Sequence, residues 1–160
     1  MPGRLGVLVI FILPFFFMAV ARADWPAWRG DARRSATTDE ELPGELSLHW
    51  RLQLPRLEPA WPDQARLQFD ICYQPIEAGG RVFLASSLQD SVSAYGLEDG
   101  TLRWRFFADG PVRFAPFAAG GRLYFCSDDG YLYCLDAGEG KLLWRFRGGP
   151  ASRKVTGNGR

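Results

Sequence analysis

A sequence unit of about 40 residues occurs twice in tandem in this chain, and it limits the possible folds more than any other feature. Residues 78–83, AGGRVF, return at 119–124 as AGGRLY, 41 residues later. Residues 100–106, GTLRWRF, return at 140–146 as GKLLWRF, 40 residues later. The second unit is thus one residue shorter than the first. The difference falls in a turn between the two segments, where a change of length is easily tolerated. This period is typical of a repeat built from four short strands.

Short apolar runs within each unit predict β-strands. Residues 123–126 and 131–135 are almost entirely apolar, rich in aromatic side chains and too short for helices. Such strands bury both faces, which suits the inner strands of a propeller blade that lies between two other blades. Pairs of turn residues stand between the runs, at Gly79-Gly80, Asp99-Gly100, Gly120-Gly121, Asp129-Gly130 and Glu139-Gly140. The sequence therefore predicts an all-β chain made of β-propeller blades, each with four antiparallel strands.

The last strand of each unit has an alternating pattern instead. In residues 141–147, KLLWRFR, large apolar side chains fall on one face and mostly cationic side chains on the other. Residues 102–106, LRWRF, and residues 48–52, LHWRL, repeat this pattern. A charged face is typical of an outer strand, because charge discourages pairing with another chain.

These patterns together predict two blades plus an outer strand, that is, a partial propeller. We expect the outer strand near Trp50, one blade over 71–107 and a second over 113–146, with a proline-rich surface loop between Trp50 and Ile71. The predicted division of the chain is a signal peptide at 1–23, an N-terminal extension at 24–47, blades at 48–149 and the start of a further blade at 150–160.

The first 23 residues have the pattern of an export signal. Arg4 precedes an apolar run at 5–20, which ends in Ala21-Arg22-Ala23, a small-x-small cleavage pattern. The alternative is a membrane anchor, but a span needs about 20 apolar residues and this run is shorter. We therefore expect cleavage before Asp24 and a soluble mature protein without a membrane span, periplasmic or secreted.

The charge and the cysteines narrow the possible partners. A net charge of +1 from well-mixed charges produces no field that would attract nucleic acid, so we expect no nucleic-acid partner. The three cysteines, Cys72, Cys126 and Cys134, match no metal motif, and an odd number leaves at least one without a partner in the chain. We favour small buried side chains in strands over a disulfide.

The second unit resembles the repeat of the quinoprotein alcohol dehydrogenases and of the related bacterial outer-membrane assembly propeller. Residues 127–137, SDDGYLYCLDA, followed by 140–144, GKLLW, are similar to the tryptophan docking motif of these pyrroloquinoline-quinone (PQQ) type repeats. In that family the alanine, glycine and tryptophan of the motif lock adjacent blades. The resemblance implies this role for Trp50, Gly100, Trp104, Ala137, Gly140 and Trp144. In the first unit, Gly96-Leu97-Glu98-Asp99 replaces the usual aspartate and alanine.

The resemblance also implies about seven or eight blades, whereas any closed propeller needs at least four. The outer strand at Trp50 is expected to complete the final blade of such a ring. We therefore expect a partial sequence, and the alternative is a two-blade protein that closes by oligomerising. The opening Trp25-Pro26-Ala27-Trp28 resembles that of secreted bacterial proteins of this class, and its tryptophans are expected to pack against the propeller rim.

Residues that could carry chemistry have simpler interpretations. His49 lies on the charged face of an outer strand, which favours a solvated side chain over a catalytic one. Asp128-Asp129 could bind calcium, but aspartate before glycine is a preferred turn pair. A cationic rim for an anionic ligand is a weaker hypothesis than a solvated outer face, and it would consist of Arg113, Arg145, Arg147 and Arg153.

Two functional hypotheses follow from the sequence. The first is a non-catalytic exported propeller whose rim loops bind a protein, peptide or glycan. The second is the N-terminal part of a PQQ-dependent dehydrogenase, for which the resemblance implies PQQ with calcium, adjacent linked cysteines, a tryptophan under the cofactor and acidic calcium ligands. The sequence has no adjacent cysteine pair, and no cofactor is evident in it. We favour the first hypothesis because the sequence carries no cofactor signature, and the repeat alone does not imply a cofactor, since function belongs to sites and not to folds.

Overall fold

A computed structural model describes residues 24–42, 44–68 and 70–149 of the chain. These residues form two four-stranded antiparallel sheets, with the strands of each sheet in chain order. The first sheet, here the first blade, consists of β1 Ile76–Ala78, β2 Arg81–Ser86, β3 Ser91–Gly96 and β4 Leu102–Phe107. The second sheet, the second blade, consists of β5 Phe117–Ala119, β6 Arg122–Cys126, β7 Tyr131–Asp136 and β8 Leu142–Arg147. A single 3₁₀ turn at Ala65–Leu67 lies in the loop before them. The all-β prediction with four-stranded blades is confirmed.

The two blades match in pairing as well as in sequence. Ala94 pairs with Trp104 in the first blade, and Cys134 pairs with Trp144 in the second. One residue later the register shifts in both, between β3 and β4 and between β7 and β8. Such a bulge bends a strand and increases its twist. The repeat therefore extends to the irregularities of the sheets.

The hydrophobic core lies between the blades. Phe106 of β4 packs edge-on against Phe125 and Tyr133 of the second blade, with ring centroids 6.1 and 5.6 Å away. Every residue of β3 is buried, as expected for an inner strand with both faces covered. The largest buried cluster consists of Ile76, Phe83, Ala85, Val92, Ala94, Val112, Ala118, Leu123, Phe125, Tyr133 and Leu135.

The two outer strands have similar sequences but different surroundings. In β4, Trp104 and Phe106 are half-buried against the second blade, while Arg103 and Arg105 are exposed. In β8 every residue is exposed. The alternating sequence of an outer strand thus gives one buried and one exposed face only where a neighbouring blade covers the strand.

The predicted outer strand near Trp50 is wrong. Residues 46–59 form no strand, although the side chain of Trp50 is half-buried. An outer strand needs a neighbouring strand for its hydrogen bonds, and each of the two described sheets already has its own outer strand, β4 or β8. The alternating pattern of residues 48–52 therefore does not lead to strand pairing here.

The cysteine prediction is correct for one residue of three. Cys134 is buried in β7, whereas Cys72 and Cys126 are exposed, and all three are free thiols. Cys126 ends β6 at a position that no neighbour covers.

Two predictions fall outside the described residues, namely the signal peptide at 1–23 and the start of a further blade at 150–160. Within the described ranges, no helix has the length and apolar character to cross a membrane.

Candidate functional site

The interface between the blades contains a contact between Trp104 and the turn that joins β7 to β8. The Trp104 Nε1 donates a hydrogen bond to the carbonyl oxygen of Ala137, at 3.1 Å. The indole lies against Gly140, where a Cβ would come within 3.0 Å of the ring. Gly140 also has a φ of +71°, which favours glycine. The indole of the first blade thus packs directly against a glycine in a turn of the second blade.

Trp50 makes the equivalent contact with the first blade. Its Nε1 donates a hydrogen bond to the carbonyl oxygen of Leu97, at 2.7 Å. A Cβ on Gly100 would lie 2.7 Å from the Trp50 Cδ2, and Gly100 has a φ of +63°. Because the acceptor is a backbone carbonyl, leucine can stand where the second blade has alanine. The contact also forms without a strand around Trp50.

Trp144 occupies the corresponding position of the second blade but has no such partner. Its ring packs at a tilt against Tyr124 of the same blade, with ring centroids 6.0 Å apart. It is 42% exposed. Within the described ranges, no carbonyl accepts a hydrogen bond from its indole. Of the six residues expected to dock blades, the structure brings Trp50 against Gly100 and Trp104 against Ala137 and Gly140, and it leaves Trp144 exposed.

The N-terminal extension also connects the blades. Trp25 exchanges two backbone hydrogen bonds with Glu77 of β1, both 2.9 Å long. The next residue, Pro26, accepts a hydrogen bond from the Ala118 N–H of β5, at 2.8 Å. Trp25 thus lies along β1, at the edge of the first sheet opposite the outer strand β4. The sequence motif at 25–28 was the only signal for this connection.

A buried ion pair fixes the loops at one end of the blades. Arg113 Nη1 lies 2.5 Å from Asp70 Oδ2, and its Nε lies 2.7 Å from Asp128 Oδ2. The Asp70 side chain is fully buried and Oδ2 also accepts the Ala60 N–H, while Oδ1 is buried without a hydrogen bond. Burial alone would lower the pKa of Arg113, but hydrogen bonds and charge from Asp128 and Asp70 outweigh it, and the pKa is raised. Arg113 is therefore a structural cation and not part of an open cationic rim.

The other charged candidates also have structural contacts. Asp129 accepts hydrogen bonds from the Tyr131 N–H and the Tyr133 hydroxyl, and Gly130 has a φ of +87°. This is the turn role that the sequence favoured over calcium binding. Arg145 stacks 4.6 Å from the Tyr131 ring centroid, and Arg147 stacks on the same ring. Arg153 lies outside the described residues.

Residue types that bind metals are dispersed in the part of the chain that the structure describes. Over residues 24–42, 44–68 and 70–149, no group of three or more His, Cys, Asp or Glu stands close enough to hold a metal ion. No two of the three cysteines are adjacent in sequence, and all three are free thiols. His49, the single histidine, is exposed.

Solved structures include chains that are similar to this one. The quinohemoprotein alcohol dehydrogenase from Comamonas testosteroni matches with a TM-score of 0.62 and 19% identity, over 82% of this chain and 20% of that chain. BamB from Moraxella catarrhalis matches with a TM-score of 0.40 and 16% identity, over 42% of this chain and 21% of that chain. The chain thus spans about a fifth of the length of these two structures. A search among curated proteins finds no match.

Family membership follows from the sequence itself. Residues 47–160 match the family described as outer membrane protein assembly factor BamB. This match covers more than half of the chain and includes both blades. The chain therefore belongs to this family and folds as blades of a PQQ-repeat β-propeller.

Proposed function

We propose that this chain is an exported, non-catalytic propeller module that serves as a scaffold or binding module. One observation carries the proposal, namely that Trp104 and Trp50 make the same contact with successive blades. The motif residues are thus used to hold blades together. The charged residues that could carry chemistry, such as Arg113 and Asp129, are engaged in pairing and turn formation.

The docking role of the six motif residues is part of this proposal. Each contact combines a hydrogen bond from an indole with the close approach of its ring to a glycine turn. Trp144 carries the same indole on an open face, and both described glycine turns of this type are already filled by Trp50 and Trp104. We propose that a further blade of the same kind covers Trp144. Its turn would offer a glycine with positive φ and a carbonyl oxygen three residues before it, as Gly140 and Ala137 do.

The alternative is the N-terminal part of a PQQ-dependent dehydrogenase. It is kept because the fold is also that of a quinohemoprotein alcohol dehydrogenase. The two functions differ in whether the chain retains the cofactor. Titrating the full chain with PQQ in the presence of calcium, followed by tryptophan fluorescence, separates them.

We expect no saturable quenching and no alcohol-dependent reduction of a dye. Free tryptophan at the same absorbance controls for inner-filter quenching. Saturable PQQ binding together with alcohol-dependent dye reduction would overturn the non-catalytic proposal.

Export is tested separately. The full chain, produced in a bacterial host with a periplasm, is expected to be processed before Asp24 and recovered from the periplasmic fraction or the medium. Replacing a central apolar residue of the leader, as in Leu13→Arg, should retain the precursor in the cytoplasm. Mass spectrometry of the N-terminus measures the cleavage position. An unprocessed chain in the membrane fraction would favour an anchor.

A further inference from the structure

We infer that a pocket beside the N-terminal extension binds an acidic peptide, taking up an aromatic or aliphatic side chain together with the carboxylate next to it. This inference rests on the proposed binding role and gives that role a site and a partner class. The pocket has a volume of about 380 Å³ and is lined by Trp28, Arg34, Gln74, Phe114 and Ala115. Such a volume lies in the range of about 300–1,000 Å³ that is usual for small-ligand sites.

The pocket is built on a firmly held backbone. Trp28 follows the segment that is hydrogen-bonded to β1 and β5 through Trp25 and Pro26. Two further hydrogen bonds close the chain after it, from Gly30 N–H to the Ala27 carbonyl at 3.0 Å and from Ala36 N–H to the Arg29 carbonyl at 2.9 Å. The wall that carries Trp28 is therefore pinned to both blades.

The opposite wall is formed by the connections that enter β1 and β5. The Gln74 Oε1 accepts a hydrogen bond from the Ala115 N–H, at 3.1 Å, and joins these connections. This bond uses the amide oxygen, so the amide nitrogen is left as a donor. Walls from three separate segments are thus held in place before any ligand arrives, and preorganisation of this kind lowers the cost of binding.

The lining combines aromatic surface with positive charge. Trp28 is 46% exposed and Phe114 is 53% exposed. The Arg34 guanidinium lies 5.5 Å from the Trp28 ring centroid, and that of Arg29 lies 5.7 Å from it. Stacking on an aromatic ring leaves the edges of a guanidinium available as donors. In the part of the chain that the structure describes, neither arginine forms an ion pair, and no carboxylate lines the pocket.

These features favour a peptide over a glycan. The hydroxyl groups of a sugar are both donors and acceptors, so a glycan site needs side-chain acceptors as well as an aromatic platform. The lining side chains offer several donors, from Arg34 and Gln74, but a single acceptor, Gln74 Oε1, which already accepts one hydrogen bond. In a peptide, a carboxylate could pair with Arg34 while the neighbouring apolar side chain contacts the Trp28 and Phe114 rings.

The test compares two dipeptides by titration calorimetry of the full chain. N-acetyl-Phe-Asp amide is expected to bind, and N-acetyl-Phe-Lys amide is expected to bind about fivefold more weakly, the upper value for one exposed ion pair. Arg34→Gln should weaken the acidic dipeptide about fivefold and leave the difference between the two dipeptides small. Arg33→Gln is the matched control, because Arg33 is an exposed neighbour that does not line the pocket. It should change the affinity less than twofold.

Trp28→Leu should weaken both dipeptides, because it removes the aromatic surface that they share. Equal binding of the two dipeptides, an unchanged affinity in Arg34→Gln, or binding of maltotriose that Trp28→Leu abolishes would each overturn the inference. So would the absence of binding by either dipeptide to a folded chain. None of these results bears on PQQ binding, which tests the proposed function independently.

Discussion

Trp104 in the first blade donates its indole hydrogen to the carbonyl oxygen of Ala137 in the second blade, across 3.1 Å. The acceptor is three residues before Gly140, and the indole ring covers that glycine. Trp50 has the same relationship to Leu97 and Gly100. A tryptophan from one segment and a glycine turn from the next therefore form the repeating connection in this chain.

The first prediction concerns Gly140, the glycine that the Trp104 indole covers. Gly140→Ala would bring a Cβ within 3.0 Å of the Trp104 ring, in backbone with a φ of +71°. We expect the free energy of unfolding to fall by about 3 kcal/mol, from strain and from displacement of the indole. Urea unfolding followed by circular dichroism measures this loss.

Gly121→Ala is the control, because Gly121 has a φ of +73° and nothing within 4 Å of a Cβ. It should cost only about 1 kcal/mol, and equal losses would contradict the docking role.

The second prediction concerns Trp50, whose contact forms without a strand. Trp50→Ala removes a half-buried indole and its 2.7 Å hydrogen bond to Leu97. We expect a loss of about 2 kcal/mol in the free energy of unfolding, less than for a fully buried tryptophan. Leu48→Ala is the matched change on the same segment, because Leu48 is 81% exposed. It should change stability by less than about 0.5 kcal/mol. A Trp50→Ala variant as stable as Leu48→Ala would show that the Trp50 contact does not contribute to the free energy of unfolding.

The third prediction concerns the buried ion pair. Arg113→Gln leaves the Asp70 carboxylate buried without its cation, and we expect a loss of about 3 kcal/mol. Adding Asp70→Asn removes the uncompensated charge, so the double variant should regain part of this loss. Arg145→Gln serves as the control, because its pair with Asp109 is exposed and 3.5 Å long. Thermal unfolding of the wild type and these three variants measures the effect, and a double variant no more stable than Arg113→Gln would argue against a coupled pair.

The fourth prediction concerns the exposed face of β8. Trp144 and Phe146 are 42% and 63% exposed on one face, and an uncovered apolar face promotes self-association. Trp144→Lys with Phe146→Lys should therefore shift the full chain toward monomer in sedimentation velocity. Leu143→Lys changes the opposite face of the same strand, where Leu143 is 47% exposed, and should leave association unchanged. If both variants dissociate equally, general charge and not this face controls association.

The fifth prediction concerns alkaline pH. Burial, and then the hydrogen bond to Asp129, raise the pKa of Tyr133 above its ordinary value of 10.0. A pKa that is higher in the folded state means that the protonated phenol stabilises the fold below pH 10 and that this stability is lost as pH rises further. The stability difference between the wild type and Tyr133→Phe should therefore be constant at pH 8–9 and decrease above pH 10. Tyr124→Phe, which keeps Tyr133, should retain the wild-type loss. A difference that stays constant up to pH 12 would contradict this assignment.

Much of the fold could be read from local patterns. The strands at 81–86 and 131–136 follow from short apolar runs between turn residues, because side-chain alternation and turn chemistry depend on neighbours in the chain. The tandem repeat predicted that the two blades would be equivalent, and their bulges occur at equivalent positions. Gly100 and Gly140 could be named from the motif, although their contacts could not be placed.

The misses have a common cause, which is that they depend on partners distant in sequence. The pattern around Trp50 is that of a strand, but pairing also needs an adjacent strand edge, and the segment meets the first blade through its indole instead. The pairing of Trp25 with Glu77 joins residues that are 52 positions apart, beyond the reach of any periodicity.

Local alternation and the repeat were enough to specify the strands and turns of the two described blades, although alternation also predicted a strand near Trp50 that does not form. The burial of each outer strand was decided by packing, since β4 and β8 have nearly the same sequence and only β4 has a blade against it. The same holds for Arg113, which could be a surface cation until the loop with Asp70 closes over it. Burial is a property of the assembled neighbours, and side-chain order along one segment carries no information about which segment will cover it.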